Sequence, residues 1–111
     1  MRVFVVEDDG ELADLTTDAL RALGHTVAVA SNAPRALAAI ETFAPDLVLV
    51  DIVLPVFDGN DLASTIRARF MPTPRLVAMT AWQERVKRDL FDDVLAKPFS
   101  HLELELILDR C

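Results

Sequence analysis

The chain has 111 residues, a net charge of −7, 52% apolar residues and one cysteine. That length holds one domain around a single core, and the apolar share excludes a disordered chain. The charge argues against direct contact with nucleic acid, no apolar run approaches the ~20 residues that cross a bilayer, and Cys111 has no thiol to pair with.

Val3-Phe4-Val5-Val6 is a short apolar run that ends in Glu7-Asp8-Asp9. It reads as a strand buried on both faces, with acids at its carboxyl end. Leu12, Leu15, Ala19 and Leu23 then recur at helical spacing and mark a core-facing stripe, and Gly24 stands where the helix stops. Thr26 to Ala30 is a second strand. Ser31-Asn32-Ala33-Pro34 supplies cap residues and a first-turn proline for a helix through Leu37, Ile40 and Ala44, which Pro45 ends.

Leu47-Val48-Leu49-Val50 is another uninterrupted apolar run, and Asp51 closes it. A carboxylate at the carboxyl end of a central strand lies where open α/β sheets build their sites. Leu54 to Gly59 is turn chemistry. Leu62, Ile66 and Phe70 define a third helix, with Arg67 and Arg69 on its outer side and Pro72 and Pro74 beyond it. Asp58, Asn60 and Asp61 lack the twelve-residue pattern of a calcium loop and read as turn and helix-cap residues. Asp9 reads likewise as an ordinary helix-start acid.

Leu76 to Met79 is a fourth strand ending at Thr80. Gln83 to Leu90 reads as a short polar helix with only Val86 and Leu90 as apolar anchors. Val94 to Ala96 is a minimal fifth strand, followed by Lys97-Pro98. The tail alternates like a strand, yet Ser100 and Glu103 form a capping box and Leu104, Ile107 and Leu108 share a helical face. Strand–helix alternation elsewhere decides for helix. His25, His101 and Cys111 are expected at the surface. The N-terminus lacks the form of a secretory signal, so a cytoplasmic location is expected.

Five strands alternating with helices predict an α/β fold, a doubly wound five-stranded parallel sheet of order 2-1-3-4-5, flavodoxin-like, over residues 1–111. That order brings Glu7 and Asp8 from strand 1, Asp51 from strand 3, Thr80 from strand 4 and Lys97 from strand 5 to one edge. Crowded carboxylates repel unless a cation intervenes, and an all-oxygen set favours Mg²⁺ over zinc. A hydroxyl and an ammonium beside such a cation suit phosphoryl transfer, with Asp51 as nucleophile.

Val5-Val6-Glu7-Asp8, Val50-Asp51-Ile52-Val53-Leu54-Pro55 with Asp58-Gly59, Met79-Thr80-Ala81 and Ala96-Lys97-Pro98-Phe99 together resemble the receiver domain of two-component response regulators. The resemblance spans nearly the whole chain. It implies that Asp51 is the phospho-acceptor and that Glu7, Asp8, Asp51 and the backbone carbonyl of Val53 hold Mg²⁺. It implies that Thr80 is the switch hydroxyl, that Lys97 pairs with the phosphate, and that the Lys97-Pro98 bond is cis. A histidine kinase or histidine phosphotransfer protein would supply the phosphoryl group, with an unknown downstream target, no membrane and at most a weak homodimer. No turnover of a small substrate is implied.

The chain departs from that pattern between Thr80 and Lys97, where it is short by several residues, so the helix before strand 5 should be short, shifted or partly unwound. Val94 stands where the family usually has a Tyr or Phe. Trp82 and the apolar Val53 are expected to restrict access to the site. The rival reading is an atypical receiver that binds partners without phosphorylation. A phosphohydrolase is a further rival, and Val53 counts against it, because such enzymes usually place a second acid there.

Overall fold

In a computed structural model, residues 1–110 are described; Cys111 lies outside them. Five strands, β1 (Arg2–Val6), β2 (Thr26–Ala30), β3 (Leu47–Asp51), β4 (Arg75–Thr80) and β5 (Asp93–Ala96), form one sheet of order β2-β1-β3-β4-β5. Every pairing is parallel, and in register Val6 faces Val50, Asp51 faces Met79 and Thr80 faces Ala96. Four helices cover it: α1 (Gly10–Ala22), α2 (Ala33–Phe43), α3 (Gly59–Arg69) and α4 (His101–Asp109). The expected doubly wound order is the observed one.

The central strands carry unbroken apolar runs, Val3 to Val6, Leu47 to Val50 and Leu76 to Met79, because both sheet faces are covered. Phe4, Val6, Val48, Val50, Leu76 and Ala78 pack with α2 and α3 on one side. Val3, Val5, Leu47, Leu49, Val77 and Met79 pack with α1 and α4 on the other. The period of two along a strand thus divides each run between two cores.

Side chains cap every helix start. Asp9, Asn32, Asp58 and Ser100 accept from the amides of Leu12, Arg35, Asp61 and Glu103. The Glu103 carboxylate accepts in turn from the Ser100 amide at 3.3 Å, which completes the capping box. Ser100→Ala is expected to cost about 1 kcal/mol. A urea midpoint unchanged from wild type would contradict that.

Three expectations give way. Leu15 and Leu23 are not in the core stripe of α1: they are 66% and 40% exposed, and Ala13, Thr16, Thr17, Ala19 and Leu20 are the buried set. The helix faces the sheet one step round from the leucine spacing. Gln83 to Leu90 is no α-helix but two single 3₁₀ turns, Gln83–Arg85 and Arg88–Leu90. Too few residues separate β4 from β5 for a full crossover helix, as the shortened spacing implied. Arg67 does not point simply outward. Its Nε donates to the Leu90 carbonyl at 2.7 Å, and its guanidinium pairs with Asp92 at 3.3 Å, tying α3 to this connection.

The loop after β3 carries strain. The Phe57 amide donates to the Pro55 carbonyl at 3.0 Å, a γ-turn around Val56, whose φ is 75°. A β-branched residue rarely adopts that backbone. No helix among the described residues is long and apolar enough to cross a membrane.

Candidate functional site

The carboxyl ends of β1, β3, β4 and β5 meet at one rim. Glu7 and Asp8 follow β1, Asp51 ends β3, Thr80 ends β4 and Lys97 follows β5. Strands 1 and 3 are neighbours from which the chain winds in opposite directions, and their loops diverge to leave a crevice. One carboxylate oxygen each from Glu7, Asp8 and Asp51 lies within 4.8 Å of the others. Glu7 and Asp51 are buried, 2% and 6% exposed, while Asp8 is open to solvent.

Lys97 binds the two buried acids at once. Its Nζ lies 2.5 Å from Glu7 Oε1 and 3.1 Å from Asp51 Oδ2. The other Asp51 oxygen accepts from the Val53 amide at 3.1 Å. Thr80 is 1% exposed, and its hydroxyl oxygen accepts from the Trp82 amide at 2.8 Å. The Lys97 amide donates to the Thr80 carbonyl at 2.9 Å, which joins the ends of β4 and β5. The Lys97-Pro98 bond is cis, as expected. All the expected site residues therefore share one rim. Of Val53, the amide is placed by its bond to Asp51.

Three acids and one ammonium leave an excess of negative charge. Burial above all, then a hydrogen bond with Asp51, pushes the Glu7 carboxyl up to about 8 from its ordinary 4.5 despite Lys97. Burial alone would lower the Lys97 ammonium, but its bond to Glu7 and the charges of Asp51 and Glu7 win and raise it. Glu7 Oε2 is buried with no hydrogen-bond partner. An orphaned carboxylate oxygen beside two other acids fits a hard divalent cation, which prefers oxygen donors and can keep waters on the side of exposed Asp8.

The cation-free protein should therefore lose stability with rising pH. Folded Glu7 holds a proton up to about 8 that the unfolded chain releases near 4.5. Stability falls across that window, because the unfolded state binds fewer protons there. Glu7→Gln should remove this component of the slope and gain a few kcal/mol over wild type at pH 8 with chelator present. Urea unfolding of both proteins at pH 5 and pH 8 checks it; equal differences at the two values would contradict it.

Asn60 was expected at a turn or cap. Asp58 is the cap of α3, and Asn60 is instead 5% exposed. Its Nδ2 donates to the Arg85 carbonyl at 2.8 Å, and its Oδ1 accepts from the Lys87 amide at 2.9 Å. The sequence signal was a polar residue three before Ala63, on the inner side of the helix.

Fold and rim together define a doubly wound α/β protein with an acidic, cation-type site at its topological switch point. The chain belongs to the response regulator receiver domain family, which its residues 3–109 match, and is thus a receiver domain of a two-component response regulator. It is 38% identical over 115 residues to transcription factor SKN7 of Saccharomyces cerevisiae, covering 97% of this chain and 18% of that protein. It is 38% identical over 106 residues to the DNA-binding response regulator MtrA of Mycobacterium tuberculosis, covering 93% of this chain and 46% of that protein. The chain thus spans less than half of these relatives. Among solved structures it resembles a receiver domain from Methylobacillus flagellatus, with TM-score 0.92, 30% identity, and 99% and 97% of the two chains covered. It also resembles TrrA of Thermotoga maritima, solved in complex with Mg²⁺-BeF, with TM-score 0.89, 25% identity, and 98% and 96% covered.

Proposed function

We propose that this receiver accepts a phosphoryl group on Asp51 and thereby switches a partner-binding surface. The observation that carries the reading is the meeting of Lys97 Nζ with Asp51 at 3.1 Å inside a three-acid cluster. A phosphohistidine of a sensor kinase or phosphotransfer protein would present the phosphorus. Asp51 forms the new O–P bond in line as the P–N bond breaks. The electron pair returns to the imidazole nitrogen, which takes up a proton.

Glu7, Asp8, Asp51 and the Val53 carbonyl would hold Mg²⁺. When bound, the ion offsets the charge of the phosphoryl oxygens, as befits a loose transition state with little covalent demand on the protein. TrrA, a similar receiver, binds Mg²⁺ with a beryllium fluoride, a common phosphoryl stand-in. Lys97 already lies against Asp51 and exchanges a carboxylate oxygen for a phosphoryl oxygen without a long movement. Thr80 leaves the Trp82 amide to bond a second oxygen, which displaces the start of the β4–β5 connection. The acyl phosphate later hydrolyses, so the chain is a self-modifying switch rather than an enzyme with a small substrate. The half-exposed Trp82 and exposed Val53 flank the rim and slow that hydrolysis by screening it from water. Such a switch works in the cytoplasm.

Intact mass after treatment with a small phosphodonor tests the reading. One phosphoryl group is expected with Mg²⁺ and none with chelator. No gain under either condition would overturn it in favour of a receiver that binds partners unphosphorylated.

A further inference from the structure

Asn60 stands in the first turn of α3, directly after Gly59. Its side chain spends both hydrogen-bonding ends on a backbone segment 25 and 27 residues away. Only one orientation of the amide fits, since the Arg85 carbonyl accepts and the Lys87 amide donates. The side chain thus holds residues 85–87 as a neighbouring backbone would. Val86, between the two bonded residues, is buried, while Arg85, Lys87 and Arg88 project into solvent. This segment has two single 3₁₀ turns and no α-helix to fix it, so its position depends on such tethers.

The same turn of α3 lies against the backbone of Asp51. A Cβ built on Gly59 would come 2.3 Å from the Asp51 carbonyl oxygen, and the Gly59 amide donates to the Ile52 carbonyl at 2.8 Å. There is no slack between them. A shift of the Asp51–Ile52 backbone must move Gly59, and Asn60 is the next residue. Thr80 grips the near end of the connection separately, through the Trp82 amide. Two tethers therefore run from the rim into residues 81–92.

We propose that Asn60 is a positioning residue that couples the backbone carrying Asp51 to the exposed basic segment Arg85–Arg88 by a route that does not pass through Thr80. The coupling rests on the phosphorylation of Asp51 proposed above. Asn60 touches no reacting atom. It works because a packed turn and a pair of hydrogen bonds transmit a displacement that a mobile loop would absorb.

Amide NMR on the whole chain tests this, with Mg²⁺ and beryllium fluoride as the phosphoryl stand-in. Without additions, Lys87 N–H exchange should be slow in wild type and at least tenfold faster in Asn60→Leu. With additions, the Lys87 resonance should shift in wild type and in Thr80→Ala, but not in Asn60→Leu. Phosphorylation of Asn60→Leu by a small phosphodonor should stay within twofold of wild type, which a general loss of structure would not permit. Should Asn60→Leu fold poorly, Asn60→Asp serves instead. It keeps the acceptor for Lys87 and loses the donor to Arg85, so Lys87 stays protected while its shift shrinks. A full-sized Lys87 shift in the Asn60 variants, or its loss in Thr80→Ala while Asp51 and Ile52 still shift, overturns the coupling. A wild type that gains no mass and shows no shift at Asp51 or Ile52 fails earlier, at the phosphorylation reading, and takes the coupling with it.

Discussion

Replacing Asp51 with Asn is expected to abolish phosphoryl acceptance while the domain stays folded. An amide oxygen is a poor nucleophile and cannot form a stable acyl phosphate, so the loss should reach background rather than a fractional rate. The fold should tolerate the change. Asn offers an oxygen of the same shape to the Val53 amide, 3.1 Å from the native Oδ1, and Lys97 retains Glu7 as a partner. One negative charge also leaves a crowded cluster, which relieves the repulsion that raises Glu7. The melting temperature should therefore hold or rise without metal, and stabilisation by added Mg²⁺ should fall. Intact mass after phosphodonor treatment, with a parallel thermal melt, reads both. A variant that still gains one phosphoryl group at wild-type yield would place the acceptor elsewhere.

Gly59→Ala is expected to be the most damaging small substitution in the chain. The new methyl would lie 2.3 Å from the Asp51 carbonyl oxygen and 2.8 Å from the Ile52 Cα. Both are backbone atoms of a buried central strand end, and no rotamer change relieves the clash. Overpacking of this kind costs about 3 kcal/mol, a large part of the 5–15 kcal/mol typical of a domain. The displaced Asp51 should also lose phosphorylation in whatever fraction remains folded. Gly10→Ala is the control, because nothing lies within 4 Å of a Cβ there and it opens α1, where Ala is the better helix former. It should be neutral or stabilising. Urea unfolding of the two variants decides; equal midpoints would show that the close approach at Gly59 is not rigid.

The site was legible because its residues are bound to strand ends. An apolar run that stops at a polar side chain marks where a buried strand surfaces, and Glu7, Asp51, Thr80 and Lys97 all sit at such stops. Parallel order then brings those ends to one rim without further information. The leucine stripe of α1 misled for a related reason. Spacing of apolar residues gives a helix and its period, but the face that is buried depends on how the helix docks. Small residues, Ala13, Thr16 and Thr17, let α1 lie close to the sheet, and Leu15 was left outside. The connection after Thr80 was legible only as a shortage of residues. Its two 3₁₀ turns follow from tethers by Asn60 and Arg67, whose partners lie more than twenty residues away.

Pattern along the chain alone therefore determined the sheet, its order and the carboxylates, hydroxyl and ammonium at its rim. These follow from local periodicity and from the handedness of parallel crossovers, neither of which needs a long-range contact to be known. Only the tertiary structure decided that Lys97 bridges Glu7 and Asp51, that burial pushes the Glu7 carboxyl up, and that Asn60 grips residues 85–87. Those depend on distances and on exclusion of water between segments far apart in sequence, and both quantities come into being when the chain packs.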